Sequence, residues 1–318
     1  MRAPVLSGMT LLALVALIGL SLCIGVASVS SGEVSLGTLL SVSRLPRTFA
    51  ALLAGTGLAL AGVVVQQAVQ NRFVEPGLTG TSEAAMLGLL AMTLIAPGAA
   101  LGWKMTVAAI SAMIGTGGFL WLARFVPRSD PMLLPLVGLI YGGILGAALT
   151  WIAWMTDLLQ FVGIWQLGEF SGVVQGRYEL LWIIAGLGGL LYLLADRFTL
   201  LGLGEAQSRA LGLGYHQTRA LGLIIVAAIT AVVVVTVGAF PFVGLVIPNI
   251  VSRWRGDNLR ANLPLIAAGG AMLVLAADII GRLIVFPFEI PAATIFAVFG
   301  SAIFLWLLFA APSRVSHG

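Results

Sequence analysis

Arg44 and Arg47 stand three residues apart around Leu45-Pro46, just before a long apolar segment, in a chain whose one lysine is Lys104. A guanidinium carries its donors in a planar fork that matches a carboxylate. Two forks at one end of an apolar run can grip acidic groups together, and the spacing predicts that both point outward. Lipid headgroups are the competing partner. Among the acids, Asp157, Glu169, Asp278 and Glu289 are candidates for a proton relay. Only Asp278 lies deep in an apolar run, and Arg282 four residues on predicts an ion pair along one helix face. Other chemistries lack their residues. Nucleotide hydrolysis by a phosphate loop needs a glycine-rich cradle followed by lysine, whereas Lys104 follows Leu101-Gly102-Trp103. Cys23, His216 and His317 are too scattered for a metal site, so no resident metal or other cofactor is expected. No nucleophile and base can be paired, which argues against an enzyme.

Hydrophobic residues make up 60% of the 318 positions and charged residues 9%. That leaves too few polar groups to coat a soluble globule of this size. The reading is an all-α integral membrane protein forming one transmembrane domain over residues 1–318. Apolar runs near the ~20 residues that cross a bilayer occur at 5–27, 48–69, 84–101, 105–123, 133–155, 180–195, 263–281 and 292–309. Residues 1–27 could imitate a secretory signal, but the many runs that follow favour a retained first helix. Small residues at Ala51, Gly55, Ala59 and at Gly138, Gly142, Gly146 repeat every four positions and predict close helix packing.

Residues 220–252 run 33 positions without a charge, ~50 Å as a single helix. Gly238-Ala239-Phe240-Pro241-Phe242-Val243-Gly244 lies in the middle. Pro241 has no amide proton, and the glycines permit a sharp turn. The expectation is two segments, one of them short, joined by a break, which brings the count to about ten spans. Irregular backbone at membrane depth survives only against protein or along a watery path, so Phe240, Pro241 and Gly244 are candidate path residues. One kinked helix is the alternative.

Ten spans put both termini on one side. With that side cytoplasmic, eleven arginines fall inside, while Arg44, Arg47, Lys104, Arg177 and Arg282 fall outside. The net charge of +4 then suits membrane lipid rather than nucleic acid. Among the inside loops, residues 201–214 carry Glu205, Arg209 and Leu211 between flanking glycines. Residues 205–211 can make two short helical turns, with Glu205 and Arg209 paired and Leu211 as an apolar knob. A solvated loop is the alternative.

Several stretches are familiar in order: Arg44-Leu45-Pro46-Arg47-Thr48, the small-residue helix 55–62 leading to Gln66-Gln67, residues 71–80, residues 203–212, Phe242-Val243-Gly244-Leu245-Val246-Ile247-Pro248, and Glu289-Ile290-Pro291. They resemble the permease family of ABC importers for iron-siderophores, haem and cobalamin, across essentially the whole chain. The resemblance implies the type II permease architecture in a bacterial inner membrane. It implies two permease subunits around a central path, a cytoplasmic ATPase dimer and an extracytoplasmic substrate-binding protein. It further implies that a coupling loop, residues 199–219, seats Glu205, Arg209, Leu211 and Gly212 on the ATPase, and that Arg44, Arg47 and Arg282 receive acidic residues of the binding protein. Arg128, Ser129 and Asp130 fall in the implied gate region, where Ser129-Asp130-Pro131 departs from the small hydroxyl residues of cobalamin permeases. Pro248-Asn249 stands where most of the family has proline-histidine. It resembles the branch carrying siderophores such as petrobactin, anguibactin and enterobactin, whose members usually pair with a different permease chain. The rival readings are a proton-coupled secondary transporter using Asp278 or Glu289, and the same permease fold carrying haem or cobalamin.

Overall fold

A computed structural model describes residues 3–24, 36–126, 133–176 and 178–309. Arg128, Ser129 and Asp130 lie outside the described residues, within which there is no strand. The helices are α1 (Ala3–Cys23), α2 (Gly37–Val69), α3 (Thr81–Ile95), α4 (Leu101–Ala123), α5 (Leu133–Met155), α6 (Leu159–Gln166), α7 (Trp182–Leu193), α8 (Ala195–Leu201), α9 (Glu205–Ala210), α10 (Tyr215–Val237), α11 (Val243–Arg255), α12 (Leu259–Ile284) and α13 (Ala292–Phe309).

Five of these, α2, α4, α5, α10 and α12, are long and apolar enough to cross a membrane. The stretch Glu179–Leu193 with Ala195–Leu201 forms a sixth, bent by 66°. Shorter apolar helices at Gly8–Cys23, Thr81–Ile95 and Ala292–Leu307, together with α11, complete the ten segments expected. The bend after Leu193 is new relative to the sequence reading, which ran one span to residue 195. Beyond it, Ala195, Phe198 and Leu201 of α8 are fully buried. Phe198 packs against Gly222 of α10, so burial of this face turns the chain.

The bundle is organised around α2. Ala50, Ala51, Ala54, Ala59 and Ala61 have no exposed surface, and Gly55 and Gly62 leave no room for a Cβ. At Gly55 it would collide with the Gly270 carbonyl of α12, and at Gly62 with the Gly244 carbonyl of α11. Small residues let three backbones approach, as the four-residue repeat at Ala51, Gly55 and Ala59 predicts. By contrast α5 is mostly exposed. Of its glycines only Gly138 is buried, while Gly142 and Gly146 face Glu83 of α3.

Near its start α2 contains a π turn at Leu40–Arg44. Pro46 has no amide proton, so the Val42 carbonyl lacks its helical donor. The amide of Gln175 donates to that carbonyl instead, at 3.0 Å. The expected break in 220–252 is present: α10 ends at Val237, α11 begins at Val243, and Gly238 and Phe242 between them have φ of 87° and 65°. With 13 residues, α11 is about 20 Å long and covers only part of a bilayer.

Candidate functional site

Two clusters lie at the two ends of α2, about 33 Å apart from Arg47 to Val69 at helical rise. At the first, Arg47 donates through Nη2 to Asp278 Oδ1 at 2.7 Å and through Nη1 to Glu289 Oε2 at 2.9 Å. The other Asp278 oxygen accepts from Arg282 Nη2 at 2.7 Å, the i,i+4 pair expected from the sequence. Arg282 also donates to the Ser21 and Ile24 carbonyls and to Ser21 Oγ, at 2.8–3.1 Å. Arg44 donates to the Leu22 carbonyl at 2.8 Å.

The expectation that Arg44 and Arg47 point outward together is therefore corrected. Arg44 and Arg282 take the carbonyls at the C-terminus of α1, which a helix leaves without intrahelical donors. Arg47 turns inward to two carboxylates brought from more than two hundred residues away. The side chains of Asp278 and Arg282 are 1% and 4% exposed, while Glu289 keeps 25%. This is a charge-balanced knot of two arginines and two acids, with Glu289 at its accessible edge. Through Arg282 it binds α1 into the bundle.

At the other end, Gly204 and Gly212, with φ of 98° and 81°, bound α9. Glu205 pairs with Arg209 at 2.9 Å, and Arg209 also meets His216 Nε2 at 2.8 Å. Ser208 Oγ anchors the turn to the Leu200 carbonyl at 2.6 Å. Leu211 is 61% exposed, so the expected helical turns and apolar knob are both present. The segment sits directly beneath the C-terminal end of α2, with Gln67 beside Gly202 and Gln70 beside Gly204.

The break is walled by protein. Val243 has no exposure, and Phe240 is buried against Phe170 with ring centroids 5.3 Å apart. Gly244 is held by Gln66, whose Nε2 donates to its carbonyl at 3.1 Å. Of the expected path residues only Pro241 is half-buried. Both Phe240 and Gly244 pack inside the chain: the close α2–α11 approach at Gly62 covers Gly244, and Phe170 and Gly168 cover Phe240.

Sequence reasoning missed two acids. Glu75 is buried and accepts the Phe242 amide at 2.7 Å, which holds the left-handed residue of the break. Glu83 sits in α3 with Oε2 buried and without a partner among the described residues. Their signal was available: Glu75 precedes Pro76 in a stretch singled out for resemblance, and Glu83 enters an otherwise apolar helix.

The model of the FecCD transport family matches residues 11–310. The petrobactin import permease YclN of Bacillus subtilis is 42% identical over 269 residues, covering 85% of each chain. The ferric-anguibactin transport permease FatD of Vibrio anguillarum is 43% identical over 266 residues, covering 84% of this chain and 85% of that one. A solved structure described as an inward-facing metal-chelate type ABC transporter superposes with a TM-score of 0.83 at 27% identity. It covers 96% of this chain and 99% of the other.

Proposed function

The chain belongs to the FecCD transport family, and we propose that it is the permease subunit of an ABC importer that carries a ferric siderophore across a bacterial inner membrane. The observation that carries this reading is the similarity, over more than four-fifths of the chain, to permeases named for petrobactin and ferric anguibactin. The chain lies in the membrane as one permease domain with both termini cytoplasmic. A separate ATPase dimer supplies the energy. It seats on residues 199–219, where Leu211 enters an apolar contact and the paired Glu205 and Arg209, ending at Gly212, keep the turn in shape.

An extracytoplasmic binding protein docks over the opposite end. Arg44 and Arg282 support that surface from beneath. An incoming carboxylate reaches Arg47 by competing with Glu289, the exposed edge of the knot. The broadly exposed apolar face of α5 is consistent with a second permease subunit, a different paralogous chain. Residues 128–130 are assigned to the cytoplasmic gate. Transport proceeds by alternating access, the break at Gly238–Gly244 moving as ATP closes the ATPase dimer. A proton-coupled carrier is disfavoured because Asp278 already lies between two arginines.

The test is to purify the tagged chain, identify its companions by mass spectrometry and reconstitute the assembly in proteoliposomes. ATP-dependent uptake of iron-labelled catecholate siderophore, with an ATPase and a second permease chain in the assembly, is expected. Uptake driven by a proton gradient without ATP would overturn the reading.

A further inference from the structure

α1 and α11 both pack on α12. Between them runs a groove of about 390 Å³ lined by apolar surface alone. Leu17 of α1 and Ile247, Ile250 and Trp254 of α11 form its walls, and Gly269 and Ala276 of α12 keep its floor low. The floor from Leu265 to Ala276 extends about 16 Å at helical rise. That is about half the ~30 Å hydrocarbon core, the depth of one leaflet.

One end of the groove is chemically distinct. Trp254 is 72% exposed there. Ile247, Val251 and Arg255 recur every four residues, so helical geometry places Arg255 on the same ridge beyond the groove wall. Arg72, Arg209 and Arg260 are each paired with an acid, whereas Arg255 makes no ion pair among the described residues. An aromatic ring and an arginine at the end of a leaflet-long apolar trough match a phospholipid with a negative headgroup.

We propose that this groove binds one anionic phospholipid, with an acyl chain along α12 and its phosphate at Arg255 beside Trp254. At about 390 Å³ the trough is too small for another helix, and among its lining residues only Thr10 carries a hydroxyl for a soluble partner. Because α1 and α11 touch the ligand from either side, its chain fills the seam that α12 alone cannot close.

Native mass spectrometry of the purified assembly, with phosphatidylglycerol or phosphatidylcholine added in detergent, tests this. Phosphatidylglycerol should be retained about fivefold more strongly, the contribution of one arginine near a headgroup. Arg255→Gln should erase that preference, and Ala276→Phe, which fills the trough, should lower retention of both lipids. Arg260→Gln, whose side chain pairs with Asp196, should change nothing. Equal retention of the two lipids by the unaltered protein overturns the anionic headgroup site. Full retention in Ala276→Phe overturns the groove. Should either variant fail to assemble, the comparison of the two lipids on the unaltered protein still decides.

Discussion

Asp278–Arg282 and Glu205–Arg209 are the same motif twice, an acid four residues before an arginine on a helix, yet they occupy opposite physical regimes. The first pair closes at 2.7 Å with side chains 1% and 4% exposed, and the second closes at 2.9 Å with 28% and 56% exposed. At the Arg47 end Asp278 and Arg282 are out of water and depend on their partners, while Glu289 reaches the accessible edge. At the α9 end solvent competes for the Glu205–Arg209 pair. Spacing thus predicts that a pair forms, and burial decides whether anything rests on it.

Four changes sharpen that contrast or break it. The largest effect is expected from Asp278→Asn, which leaves Arg47 and Arg282 facing each other without the acid between them. Removing one partner of a buried pair costs about 3–5 kcal/mol, read as a lower unfolding midpoint of the purified chain. A loss under 1 kcal/mol would place the knot in the exposed class. At the α9 end Leu211→Asp should leave the midpoint unchanged. It should weaken ATPase association on the order of 30-fold, as for an interface anchor worth about 2 kcal/mol. Undiminished association and uptake would remove Leu211 from the coupling contact.

Glu289→Gln lies between the regimes, because Arg47 keeps Asp278 and Glu289 is partly exposed. A cost of about 1 kcal/mol is expected. The informative readout is affinity for the binding protein, which should rise if an incoming carboxylate competes with Glu289 and stay constant if the contact is a fixed clamp. The smallest effect belongs to Glu205→Gln, about 0.3–0.5 kcal/mol for an exposed helical pair and weaker in high salt. A salt-independent loss of several times that size would mean that Glu205 is buried by a partner.

Much of the local structure was legible. The break between Gly238 and Gly244 follows from a missing amide proton and two glycines, and the α9 turn from glycines that accept positive φ; both are properties of a few adjacent residues. The bend after Leu193 was not legible, since neither glycine nor proline stands at the Leu193–Ala195 corner, and burial of Phe198 against Gly222 accompanies the turn. Nor was the role of Glu75, whose partner amide at Phe242 lies 167 positions away.

The sequence by itself determined the membrane class, the ten apolar segments and the interruption of one of them, because hydropathy and backbone freedom act over short windows. It also determined which arginines could matter. Apart from the Asp278–Arg282 pair, which spacing predicted, tertiary structure decided what they hold. An arginine side chain is long and flexible, and its direction is set by whichever acceptor lies nearest in space. For Arg47 these are Asp278 and Glu289, 231 and 242 residues distant. For Arg44 it is the bare Leu22 carbonyl near the end of α1, and Arg282 adds the carbonyls of Ser21 and Ile24 to its Asp278 pair. Outward docking and inward clamping share one sequence pattern, and only the packing of α1 and α12 against α2 distinguishes them.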